Sequence, residues 1–125
     1  MKNKLISLGI LGIFATSCYQ QERKCTDFKI GKFEFVQVID SVERKSVFER
    51  FDDIQIETFE GKTDTASVRW INDCEFVLQK LNPKNMAERK AIHMKILTTS
   101  ADSYTFEYSY VGDSNKQKGI VTKIK

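Results

Sequence analysis

The chain has 125 residues, with 20 Lys plus Arg against 17 Asp plus Glu, three cysteines, one histidine and one proline. That length gives one domain with one modest core. Its basic residues are dispersed, with Arg23-Lys24, Arg44-Lys45 and Arg89-Lys90 the only adjacent pairs, so it lacks the clustered positive charge that nucleic-acid binding requires.

At the N-terminus, Lys2 and Lys4 precede an apolar run from Leu5 to Ala15. As a helix this run rises only about 16 Å, roughly half of a ~30 Å hydrocarbon core. It has the length of a signal-peptide apolar region and not of a membrane span. The segment Phe14-Ala15-Thr16-Ser17-Cys18 resembles the lipobox of bacterial lipoproteins, with Ala15 where Leu is usual and Ser17 where Gly or Ala is usual. The resemblance implies a signal peptide over 1–17, cleavage before Cys18, and a diacylglyceryl and palmitate anchor on Cys18. Two acyl chains are what stable anchoring needs. An ordinary secretory signal is the alternative. In lipoprotein sorting an Asp after the cysteine marks the inner membrane, so Tyr19 points to the outer membrane of a Gram-negative envelope. Residues 18–24 read as a polar tether and 25–125 as a single β domain. Loss of Lys2 and Lys4 takes the basic count from 20 to 18 against 17 acids, a net +1.

With Cys18 assigned to lipid, Cys25 and Cys74 remain in an oxidising compartment and are expected to form one disulfide. Together with His93 they are too few to hold a metal ion, and neither a metal nor a cofactor is expected.

The rest alternates short runs rich in Phe, Val, Ile, Thr and Tyr with Asp, Asn, Ser and Gly, the signature of strands and turns. Strands are expected over Gly31–Ile39, with Phe33, Phe35 and Ile39 on one face, and over Lys45–Phe51, with Val47 and Phe51 opposite Phe48. Ile54–Phe59 follows the Asp52-Asp53 turn, and Gly61–Asp64 reads as a loop before Ala66–Ile71, where Val68 and Trp70 share a face. Cys74–Leu81 aligns Cys74, Phe76 and Leu78. Asn82-Pro83 is a good helix start, so one short helix is expected near 83–90. Ala91–Thr99 aligns Ile92, Met94 and Ile96. Tyr104–Val111 carries Tyr104, Phe106, Tyr108 and Tyr110 on one face, and Lys118–Ile124 is the last strand. Eight short strands with tight connections predict a mainly β fold: a small antiparallel eight-stranded meander, closed as a barrel or strongly curled, of lipocalin-like architecture. A two-sheet sandwich is the alternative.

Three stretches, Phe28–Phe33, Val68–Phe76 and Lys95-Ile96-Leu97, resemble a group of small uncharacterised bacterial lipoproteins. Members of that group sometimes carry the label of DNA topoisomerase IV. That label does not suit an exported domain of this size, which lacks a phosphate-cradling glycine loop.

No nucleophile–histidine or metalloprotease motif occurs, so no catalytic residue is expected and the chain does not read as an enzyme. Trp70 reads as a core residue beside the disulfide. Trp70, Tyr104, Tyr108 and Tyr110 are also the residues for a ligand or partner face, since tyrosine combines ring area with a hydroxyl. The functional expectation is an envelope lipoprotein that interacts with a protein partner or plays a structural role. The alternative is a small-ligand binder with a barrel cavity.

Overall fold

A computed structural model describes residues 23–124. Cys18, the signal segment and most of the tether lie outside the described residues. A 3-10 turn, η1 (Cys25–Phe28), leads into eight strands: β1 (Gly31–Ile39), β2 (Val42–Arg50), β3 (Ile54–Phe59), β4 (Lys62–Asn72), β5 (Glu75–Lys80), β6 (Ile92–Thr99), β7 (Ser103–Tyr110) and β8 (Gln117–Ile124). Each strand pairs antiparallel with the next, and β8 pairs with β1 to close the barrel. The expected meander is therefore present and closed, which leaves no full-length free sheet edge.

The strand phases follow the sequence alternation. Phe33 and Phe35 face inward with Phe48, Phe76, Tyr104, Phe106 and Val121. Phe33 lies opposite Phe48, Trp70 opposite Phe76, and Tyr104 opposite Val121. Two hairpins are closed by two-residue turns whose central residues all have positive φ: Asp40 and Ser41 at 52° and 63°, Glu60 and Gly61 at 49° and 77°. This matches the right-handed twist of the flanking strands. The loop expected over Gly61–Asp64 is thus a tight turn, with β4 starting at Lys62. In β2, Val47 and Phe48 lie on opposite faces as expected, with Phe48 and Arg50 pointing inward, while the strand runs from Val42 to Arg50 and Phe51 lies beyond it, exposed.

The helix expected near 83–90 does not form. The segment is a series of turns in which Asn85 Oδ1 accepts the Glu88 amide (2.9 Å) and Glu88 Oε2 accepts the Lys84 amide (2.6 Å). A stretch this short cannot recover the cost of helix nucleation, and side-chain acceptors satisfy its backbone donors locally.

The barrel has unlike ends. At one end η1 lies across the opening. Its Cys25 is bonded to Cys74 (S–S 2.09 Å, Cα–Cα 5.2 Å) at the β4–β5 turn, so the expected disulfide is present. Lys29 Nζ meets Asp73 Oδ1 at 3.0 Å, and Lys123 Nζ donates to the Asp27 carbonyl at 3.0 Å. Below η1, the buried side chains of Phe28, Phe33, Phe48, Ile96, Tyr104, Phe106 and Val121 form one cluster. The chain enters at this closed end, where the Lys24 amide donates to Thr99 Oγ1 (2.9 Å). The opposite end carries the Asp40-Ser41 and Glu60-Gly61 turns, the 81–91 connection and the 111–116 connection. Along the β1–β8 seam, registered pairs run from Lys32–Phe35 against Val121–Ile124. Beyond them, toward the open end, the two strands flank a groove of about 670 Å3.

Candidate ligand cavity

The floor of the interior is built around Arg50, the last residue of β2, which is 1% exposed. Its Nε donates to Gln55 Oε1 (3.0 Å), its Nη1 to the Phe28 carbonyl (2.7 Å) and its Nη2 to the Tyr104 hydroxyl (3.0 Å). The guanidinium carbon also lies 4.5 Å from the Phe76 ring centroid, 4.9 Å from Phe33 and 5.4 Å from Phe48. A charge buried this deeply needs compensation. Here it comes from neutral oxygens and the negative faces of aromatic rings, and among the described residues Arg50 forms no ion pair. The bond to the Phe28 carbonyl also fastens η1 to the barrel wall.

Above this floor the packing loosens. A cavity of about 230 Å3 is lined by Phe35, Phe48, Met94, Phe106, Tyr108 and Glu57, among others. A second space of about 430 Å3 lies at the open end under the 81–91 connection, against Glu57, Phe59, Asp64, Lys80, Glu88 and Tyr110. A third, of about 230 Å3, is lined by Phe35, Arg44, Ser46, Glu57 and Phe59. Glu57 borders all three. It is half-buried on β3, opposite Phe48 on β2 and Asp64 on β4. The Ser46 hydroxyl donates to its Oε1 at 3.1 Å. Gly119 on β8 keeps Phe35 and Phe106 in place near this level, since a Cβ there meets both rings at 2.8 Å.

The rim is latched by ions. Lys80 Nζ lies 3.0 Å from Glu88 Oε1 and 3.7 Å from Asp64 Oδ2, which ties the 81–91 connection to β4 and β5. The Lys84 amide and then the Lys80 ammonium hold the Glu88 carboxyl below its ordinary value, and the Glu88 contact in turn raises Lys80. Arg44 is paired with Glu60.

The four aromatic residues expected to form one recognition face are divided by the barrel. Trp70 is half-buried at the closed end, tilted against Phe76 with ring centroids 4.5 Å apart and with Lys29 over its ring. Tyr104 is buried on Arg50. Tyr108 lines the cavity, its hydroxyl donating to Gln117 Oε1 at 3.1 Å. Tyr110 is 42% exposed at the rim, under Lys90. Only Tyr108 and Tyr110 border the open half. His93 lies on the outer wall, its Nε2 at 2.9 Å from Glu75 Oε2, a contact that holds the Glu75 carboxyl below its ordinary value.

Comparison with models of protein families, with curated proteins and with solved structures finds no match for this chain. The interior itself therefore carries the functional argument. Sequence reasoning missed Ser46, Arg50, Gln55 and Glu57. The available signal was parity: Ser46 and Arg50 are two residues either side of Phe48, and placing Phe48 inward places both beside it.

Proposed function

We propose that this chain is a lipid-anchored envelope protein that takes a small amphipathic molecule into its barrel through the open end. One observation carries this reading: the interior is packed only in its closed half. The space of about 430 Å3 under the 81–91 connection falls in the size range of small-ligand sites (~300–1,000 Å3), and with the two smaller spaces that share Glu57 with it it combines apolar walls with a few polar groups, as such sites do. The sequence points first to a structural or protein-binding role, with a ligand-binding barrel as the alternative. Phe33, Phe48, Phe76 and Tyr104 gather around Arg50, while Phe35, Phe59 and Tyr108 border open space above it. The position of the tether supports the same function. The chain reaches the barrel at its closed end, and the stretch from Cys18 to Arg23 spans at most about 18 Å. An anchor on Cys18 holds the closed end toward the bilayer and leaves the opening accessible from the aqueous side.

The test is uptake of a neutral fluorescent amphiphile, N-phenyl-1-naphthylamine, by the purified protein with its disulfide intact. Fluorescence should rise saturably and be competed by decanol. Ala66→Trp, which fills the space beside Gln55 and Lys80, should abolish the signal while the melting transition is retained. Absence of uptake by the unaltered protein, or equal uptake by the filled variant, overturns the reading. A protein partner is the second reading, favoured by the apolar side chains left exposed along the seam, Val38 at 73% and Ile120 at 62%.

A further inference from the structure

We propose that the ligand carries a positive charge, and that Glu57 receives an ammonium or similar cationic head within the upper half of the barrel. This inference rests on the ligand-binding reading and names the chemistry of what is bound.

The first argument is the pairing of charges at the open end. Each neighbouring cation at the open end already has a partner, and Arg50, which borders the lower space, has its Nε, Nη1 and Nη2 donating to Gln55, Phe28 and Tyr104. Arg44 is held by Glu60, Lys80 by both Glu88 and Asp64, and Lys90 lies over the Tyr110 ring. Glu57 is different. Among the described residues it has no cationic partner within ion-pair distance, and its recorded contact is the Ser46 hydroxyl. It faces inward and is the one residue common to all three interior spaces.

The second argument is the material around it. Phe35, Phe48, Phe59 and Tyr108 border the same spaces. A carboxylate among ring faces is the combination that selects cations, because each ring presents negative charge from its face while the carboxylate supplies a full counter-charge. Partial burial strengthens both contributions by excluding water.

The third argument fixes the orientation. Arg50 forms the floor and is permanently charged. Arg50 borders the lower space, but it is 1% exposed and its recorded donors are taken by Gln55, Phe28 and Tyr104, so it offers little to an anionic head and disfavours a second cation at that depth. The apolar part of the ligand therefore points down toward Phe106 and Met94, and the head stays level with Glu57.

Three probes of equal chain length and different charge test this: decylammonium, decanol and decanoate, titrated calorimetrically into the intact disulfide-bonded domain at neutral pH. Decylammonium should bind about tenfold more tightly than decanol, the size of effect expected for one desolvated cation contact. Decanoate should bind most weakly. In Glu57→Gln the advantage of decylammonium should vanish while decanol affinity stays the same, which also shows that the fold is retained. Equal affinity for decylammonium and decanol in the unaltered protein overturns the charge assignment alone and leaves the cavity reading standing. Tightest binding of decanoate does the same and moves the head to Arg50. No binding of any probe overturns both. The comparison of the three probes on the unaltered protein decides the matter even if Glu57→Gln fails to accumulate.

Discussion

Replacing Arg50 with methionine tests whether the buried cation fastens the closed end of the barrel. The side chain is 1% exposed, and three donors reach Gln55, the Phe28 carbonyl and Tyr104 within 3.0 Å. A hydrogen bond to a charged group contributes about 1.5–3 kcal/mol net. Against this stands the desolvation of the guanidinium, several kcal/mol, which methionine no longer incurs. Methionine fills similar space but leaves the Phe28 carbonyl, in a buried site, without its donor, at about 1–3 kcal/mol. With the bonds and the desolvation roughly cancelling, the orphaned carbonyl sets a loss of about 1–3 kcal/mol, a large fraction of the ~5–15 kcal/mol total of a small domain. Urea denaturation with the disulfide intact reads it directly, and the slope of the transition should be unchanged. Arg50→Lys should recover less than half of the loss, because an ammonium cannot reproduce the planar fork toward three separated acceptors. A methionine variant within 0.5 kcal/mol of the parent refutes the reasoning. Ring packing around the floor would then hold η1 in place without the cation.

Opening the Cys25–Cys74 bond releases a loop with a sequence separation of 49 residues, and the chain-entropy model gives a loss of about 4 kcal/mol. The double Cys25→Ser, Cys74→Ser variant should show it as a markedly lower denaturation midpoint, and η1 should become sensitive to protease first. The rim latch should be acid-sensitive. Because the Glu88 carboxyl is held below its ordinary value of 4.5, its contribution is complete above that value and is lost as the pH falls through the lowered one. Amide exchange in residues 84–90, relative to that in β7, should rise over that acidic window in the parent and be pH-independent there in Glu88→Gln. For the anchor, Cys18→Ala should abolish metabolic acyl labelling and move the protein out of the membrane fraction, and undiminished labelling would remove the lipid assignment.

Much of the barrel was legible because period-two alternation is a direct imprint of one buried face. β1, β3 and β7 appear in the sequence nearly to the residue, and β7 is clearest because aromatic and polar residues alternate without a break. The cysteine pair was legible by elimination once Cys18 was set aside. Two kinds of feature were not. The 83–90 helix was suggested by Asn82-Pro83, yet Asn85 and Glu88 supply acceptors that close turns there. The interior polar set was hidden because Arg50 and Glu57 sit in strands where charged residues ordinarily face water. Only the closure of the sheet, which brings Phe28, Tyr104 and Phe76 around β2, makes an inward arginine affordable. The empty upper half was equally invisible, since it depends on where rings gather and not on how many there are.

The connectivity of the barrel also implies an order of assembly. Every ladder but one joins strands adjacent in the chain, so seven hairpins can form by short loop closures. The β1–β8 ladder brings together residues from opposite ends of the domain through only four registered pairs, and it incurs its loop entropy before any reward. Ring closure is therefore the late step in folding. The transition state should contain the β3–β4 and β6–β7 hairpins with the seam still open, so substitutions at Phe35 or Val121 should speed unfolding while leaving the folding rate nearly unchanged.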